Sequence, residues 1–133
     1  VTLVDTTVWI DWLRGKETGP TRALALLLEE GEAALCPVIL QELLQGAVNA
    51  AALRTLRSRF GALPMLVPLP PVEQHALAGE LYARARWSGV TPRSPHDCLV
   101  AATAVAAGVP LLHDDRDFVT LARVERRLRL ARH

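Results

Sequence analysis

Val1-Thr2-Leu3-Val4-Asp5-Thr6-Thr7-Val8-Trp9 is a short, partly β-branched apolar run that stops at a carboxylate followed by two hydroxyls. Apolar runs of this length read as fully buried strands, the kind found inside a parallel sheet with both faces covered. In such sheets the ligand crevice lies beyond the carboxyl ends of the strands, so Asp5 is expected where a ligand binds. A charged residue that merely ends a strand in solvent would look the same. The reading therefore depends on whether other residues point to that place.

Several do. Glu42 follows a second short apolar run, Ala33 to Cys36, and Asp97 opens a strongly apolar helix. The cluster Asp114-Asp115-Arg116-Asp117 follows a third run, Pro110-Leu111-Leu112. If the strands are parallel, their ends share one edge of the sheet and these carboxylates converge. Like charges so gathered call for a cation.

A chain of 133 residues, half of them apolar, reads as one domain over 1–133 that can bury a sizeable core without a staple. Cys36 and Cys98 each sit in an apolar segment outside any C-x-x-C pair. They read as buried free thiols of a reducing compartment, which points to the cytoplasm. The longest apolar stretch, Leu99 to Leu112, is broken by Gly108 and Pro110 and falls short of the ~20 residues of a membrane span. No basic-then-apolar leader opens the sequence, and no membrane partner is expected. A net charge of +1 argues against a dedicated nucleic-acid coat but leaves room for local patches. Arg54, Arg57 and Arg59, then Arg84, Arg86 and Arg93, and finally Arg123, Arg126, Arg127, Arg129 and Arg132 suit a rim that holds a polyanion around a metal centre. Solvated helix faces would give the same pattern.

Along the chain, Val8, Trp9, Trp12 and Leu13 recur at helical spacing up to Gly15. Thr18-Gly19-Pro20 opens a helix closed by Gly31. Val38 to Ala47, Ala50 to Phe60 and Val72 to Trp87 read as helices, with Met65-Leu66-Val67 a strand between the last two. Leu99 to Ala107 is apolar and mostly small, which suits a helix lying close against a sheet. After strand Pro110 to His113 come a short helix around Phe118 to Ala122 and an alternating edge strand, Arg127 to Leu130. Strands alternating with helices give an α/β fold, a mostly parallel sheet flanked by helices on both faces.

Converging oxygen ligands without cysteine or metal-spaced histidine pairs select a hard cation, Mg²⁺ or Mn²⁺, and such sites commonly act on phosphates. Each candidate also has a plainer reading. Glu42 can be a half-exposed side chain beside an apolar helix face. Ser94-Pro95-His96-Asp97 fits a capping box, with Asp97 reaching back to the amide of Ser94. Some of Asp114, Asp115 and Asp117 must be ordinary turn and cap residues. Arg93, on the loop that feeds the proposed site, is expected to hold substrate phosphate.

With these residues in view the chain resembles the PIN domain, and within it the VapC-like toxins of toxin–antitoxin pairs. Leu3-Val4-Asp5-Thr6-Thr7-Val8-Trp9-Ile10 looks like the opening motif, and Pro37 to Gly46 like the glutamate helix. Asp97-Cys98-Leu99-Val100-Ala101-Ala102-Thr103-Ala104 and Leu111-Leu112-His113-Asp114-Asp115-Arg116-Asp117-Phe118 are similar to the third and fourth motifs. The resemblance implies a metal-dependent endoribonuclease whose acidic quartet is Asp5, Glu42, Asp97 and Asp115. It further implies Asp5, Asp97 and Asp115 as metal ligands, Asp117 and Thr7 in support, Mg²⁺ or Mn²⁺ as cofactor and RNA as substrate. A VapB-like antitoxin and a homodimer are the partners expected. His113 departs from the pattern, because relatives usually carry a threonine there.

Two other phosphohydrolase readings fit less well. His96-Asp97 and His113-Asp114 superficially suggest a histidine–aspartate phosphohydrolase, but that class resembles an all-helical fold. A haloacid-dehalogenase-like phosphatase would want an acid where Thr7 stands. A non-catalytic PIN-like module that binds RNA or protein would be marked by a broken quartet, and here the quartet is intact.

Overall fold

In the computed structural model, which describes residues 1–133, three short strands run parallel: β1 (Thr2–Val4), β2 (Ala33–Ala34) and β3 (Leu111–Leu112). Their order is β2-β1-β3, with Thr2 opposite Ala33 and Leu3 opposite Leu111. Consecutive residues of a strand point to opposite faces. Every residue of all three strands is buried, so both faces of the sheet are covered, as the unbroken apolar runs require.

The covering helices are α1 (Thr6–Leu13), α2 (Gly19–Glu30), α3 (Pro37–Gln45), α4 (Ala50–Gly61), α5 (Pro71–Trp87), α6 (Pro95–Ala107) and α7 (Arg116–Val124). Their ends follow local chemistry. Thr18 and Thr21 close a capping box at the start of α2, and Gly31 and Gly108 end α2 and α6 in the left-handed conformation that only glycine adopts without strain. Trp9 of α1 is buried, donates from Nε1 to the Val4 carbonyl at 3.0 Å, and meets Phe60 edge-on at 5.2 Å between ring centroids.

Two expected strands are reduced to single bridges. Met65-Leu66-Val67 meets the residue just after β2 in a single bridge, Leu35 to Met65, with Leu66 donating to the Leu35 carbonyl at 2.7 Å. Pro64 and Pro68 flank this segment, and a proline has no amide with which to extend a ladder. At the opposite edge the alternating segment touches β3 only through Leu111 and Leu130. Arg127 is turned back on Glu125 instead, its amide and guanidinium both donating to that carboxylate. The parallel order therefore reads Met65, β2, β1, β3, Leu130 across the molecule.

The basic rim is smaller than the sequence suggests. Arg84 and Arg127 both bind the buried Glu125, whose carboxyl they hold down at about 2, with Arg127 the larger influence. Arg129 donates to the Gly108 carbonyl at 2.7 Å, and Arg59 stacks over Trp12 at 5.5 Å. Each of these guanidiniums is already engaged by an acceptor or an aromatic face of the protein, although Arg59, Arg127 and Arg129 stay exposed.

Cys98, Val100, Ala101, Ala102, Thr103 and Ala104 of α6 are all buried, so the small side chains set how closely this helix approaches its neighbours. Ala101→Leu should overpack that layer and cost about 1–3 kcal/mol in a urea melt.

Candidate active site

Each strand runs straight into a helix start at the same edge of the sheet. Asp5 follows β1 and caps α1, its Oδ2 accepting the Thr7 amide at 3.3 Å and the Thr7 hydroxyl at 2.7 Å. Asp115 follows β3 and caps α7, its Oδ1 accepting the Asp117 amide at 2.9 Å. Ser94 caps α6 by accepting the His96 amide at 3.2 Å, which places Asp97 in the first turn. Asp97 makes no return bond to the Ser94 amide, and its carboxylate accepts no hydrogen bond from any protein group. Glu42 projects from α3 and is steadied by the Thr6 hydroxyl, which donates to its Oε1 at 3.0 Å.

These side chains line one open cleft of about 390 Å³, together with Thr6, Thr7, Ile10, Arg93 and Ser94. Asp97, Asp115 and Asp117 each bring a carboxylate oxygen within 4.8 Å of the others. Asp5 lines the same cleft but is not one of this closest trio, and Asp117, expected only in support, is. Asp114 is exposed and lies outside the cleft, an ordinary turn residue. An all-oxygen trio with one carboxylate free of protein donors fits a hard divalent cation.

Residues 2–124 match the PIN domain. Two curated relatives, the VapC ribonuclease Mb1587 of Mycobacterium bovis and Ribonuclease VapC11 of Mycobacterium tuberculosis, are each 37% identical to this chain, covering 92% of it and 92% of their own length. The chain belongs to the PIN-domain family. Among solved structures it is similar to VapBC2 from Rickettsia felis bound to a promoter DNA fragment, with a TM-score of 0.75 at 19% identity, covering 98% of this chain and 96% of the other. It is also similar to FitAcB from Neisseria gonorrhoeae, with a TM-score of 0.69, 19% identity and the same coverage. At that identity the structural likeness speaks for the fold, and the parallel sheet it shares excludes an all-helical phosphohydrolase.

Four features of this PIN domain were not legible in the spacing of its motifs. Thr6 reaches across to Glu42 while its neighbour Thr7 serves Asp5, so the two hydroxyls divide between two elements. His96 brings Nδ1 within 3.9 Å of Glu42 Oε2 and also lines a separate, more apolar pocket with Cys36, Gln74, Leu99 and Thr103. His113 Nδ1 accepts the Asp115 amide at 3.1 Å, and its ring tilts against Phe118 at 5.6 Å. The imidazole thereby supplies the local acceptor that a threonine oxygen could offer two residues before that amide, and burial lowers its pKa, which favours the neutral ring that can accept. Arg93, expected to face substrate, is bound instead to Asp115 and Asp117.

The electrostatics show what the gathering costs. Burial lifts the Asp5 carboxyl to about 6 against the opposing pull of its Thr7 bonds, with Glu42 adding to the rise. Asp97 is lifted further, to about 7, first by burial and then by Asp5, Asp115, Asp117 and Glu42. Burial also pushes both thiols, Cys36 and Cys98, up to about 11, as suits inert core groups.

A folded carboxyl at about 7 or 6 keeps a proton that the unfolded chain releases near 3.8. The native state then binds more protons than the unfolded one across that window, so metal-free stability falls as pH rises through it. Asp97→Asn removes the larger contribution. In EDTA the variant should melt at or above wild type at pH 8, and its melting temperature should drop less between pH 5 and pH 8. A residue that served only as an N-terminal helix charge would give the opposite sign, a loss of about 0.3–1 kcal/mol at neutral pH.

Proposed function

We propose that this PIN domain is a metal-dependent endoribonuclease, the toxin of a VapBC-type pair, which hydrolyses RNA phosphodiester bonds. The observation that carries the reading is the meeting of Asp97, Asp115 and Asp117 from two helix starts in the cleft that Asp5 and Glu42 complete. The VapC ribonucleases that resemble the chain over nearly all its length support RNA as the substrate class.

In this reading Asp97, Asp115 and Asp117 would hold Mg²⁺ or Mn²⁺, with Asp5 beside them. An ion held there would supply a water of lowered pKa and offset charge on the reacting phosphate. Glu42 stands outside the trio on its own helix, held by Thr6, and serves as the base that takes the proton from the attacking water. Asp5 keeps the α1 end of the cleft negative, and Thr7 fixes its rotamer. Water adds to phosphorus as Glu42 takes its proton and the P–O3′ bond breaks, the 3′ oxygen takes a proton from solvent while Glu42 gives its own up to solvent, and the phosphate remains on the 5′ end of the downstream fragment.

Asp5, Glu42, Asp97 and Asp115 are all present, which counts against a non-catalytic module. A VapB-like antitoxin that covers the cleft with a cationic side chain is the partner this charge favours, and exposed apolar residues such as Val67, Val72 and Trp87 offer adhesion beyond charge. A homodimer and a cytoplasmic location complete the proposal; no helix is long and apolar enough to cross a membrane.

Incubation of end-labelled structured RNA with Mg²⁺ should yield internal cuts with 5′-phosphate and 3′-hydroxyl ends, and EDTA should abolish them. Glu42→Gln should slow cleavage by roughly 10²-fold or more while leaving the metal-dependent rise in melting temperature in place. A 2′,3′-cyclic phosphate product, or full activity in EDTA, contradicts the mechanism. The complex co-purified with its antitoxin should be inactive on the same RNA; a fully active complex would argue that the antitoxin binds elsewhere.

A further inference from the structure

Arg93 is the only basic side chain lining the acidic cleft. It lies on the loop between α5 and α6, immediately before the Ser94 cap, and is three-quarters exposed, whereas the carboxylates it meets are mostly buried. Its Nη2 donates to Asp115 Oδ1 at 2.9 Å and its Nε to Asp117 Oδ2 at 3.1 Å, while its backbone amide reaches the same Asp117 oxygen at 3.3 Å. Asp115 Oδ1 is also the oxygen that accepts the Asp117 amide. The protein donors therefore fall on one oxygen of each carboxylate. Asp115 Oδ2, Asp117 Oδ1 and both oxygens of Asp97 accept none.

An exposed ion pair ordinarily contributes little. This one differs in that a single planar fork spans the carboxylates of the α7 cap and of its first turn, while the loop carrying the arginine opens directly into α6 and Asp97. Arg93 thus ties the loop that opens α6 to the start of α7. Metal-binding carboxylates are commonly oriented by hydrogen bonds to their second oxygen, and loss of such a bond typically costs 10–100-fold in affinity.

We infer that Arg93 is a positioning residue for the metal centre, clamping Asp115 and Asp117 by one oxygen each so that the other is presented, with Asp97, to the ion. The inference rests on the function proposed above. It departs from the expectation that Arg93 only holds substrate phosphate, although the donors of Nη1 remain free for that second task.

Calorimetric titration of Mn²⁺ into EDTA-stripped, then dialysed, protein tests it without reference to cleavage. Arg93→Ala should bind Mn²⁺ at least tenfold more weakly than wild type. Arg93→Lys should also bind more weakly despite keeping its charge, because an ammonium does not reproduce the fork between two carboxylates. Metal-free melting curves establish that each variant is folded, and the exposed position of Arg93 makes that the expected result; if the alanine variant does not fold, the lysine variant decides. Mn²⁺ affinity equal to or above wild type in Arg93→Ala, or an unchanged affinity in Arg93→Lys, overturns the inference while leaving the metal centre standing. Wild-type protein that binds no Mn²⁺ overturns the metal centre itself, and the positioning role with it.

Discussion

The structure depends on a tension at one edge of its sheet, where carboxylates are brought together in partly desolvated positions that oppose their charge. The parallel fold creates this tension and also moderates it. Because β1 and β3 each feed a helix at that edge, Asp5 and Asp115 arrive as N-caps, where unpaired amides and the positive end of the helix favour an anion. Thr6 and Thr7 add hydroxyl donors, and Arg93 adds a full positive charge. Asp97 shares the favourable helix end but accepts no hydrogen bond and forms no ion pair, and it is the carboxyl lifted furthest. The residue left least satisfied by the protein is the one with most to gain from a cation.

The architecture was legible because its signals are local and redundant. Unbroken apolar runs can be satisfied only by burial on both faces, and each is followed by a cap and a helix-period pattern, so the parallel α/β order follows from Leu3-Val4, Ala33-Ala34 and Leu111-Leu112. Helix ends were legible for the same reason, through Thr18, Gly31 and Gly108. The edge segments were not, because whether Met65 to Val67 or Arg127 to Leu130 forms a full ladder is decided by partners distant in sequence. Flanking prolines end the first, and the pull of Glu125 on Arg127 diverts the second.

The site divides along the same line. That Asp5, Asp97 and Asp115 reach the cleft could be read from their position after a strand or at a helix start, and they line it together with Glu42 from within α3. How they group could not be read, since the trio forms through Asp117, two residues beyond the cap, and not through Asp5. Arginine pairing was equally hidden. A run such as Arg84, Arg86 and Arg93 carries no mark of which member faces solvent, which one binds buried Glu125 and which one bridges two aspartates.

Asp97 shows why a cap and a ligand are hard to tell apart in sequence and easy to tell apart in space. Both roles want an acid at the third position of a helix that begins Ser-Pro, so the motif is shared. A capping box is reciprocal, and its second bond, from the cap amide to the acid, is what stabilises the helix start. Here only the serine half forms, with the His96 amide as donor, and the aspartate turns toward Asp115 and Asp117. The helix start gives up a favourable local bond and accepts like charges in its place. Such a departure from the locally stable arrangement is the pattern expected where function, and not folding, selects the residue. Because Arg93 and Ser94 are adjacent, the same two residues cap α6, the helix that carries Asp97, and bind the two carboxylates that Asp97 meets.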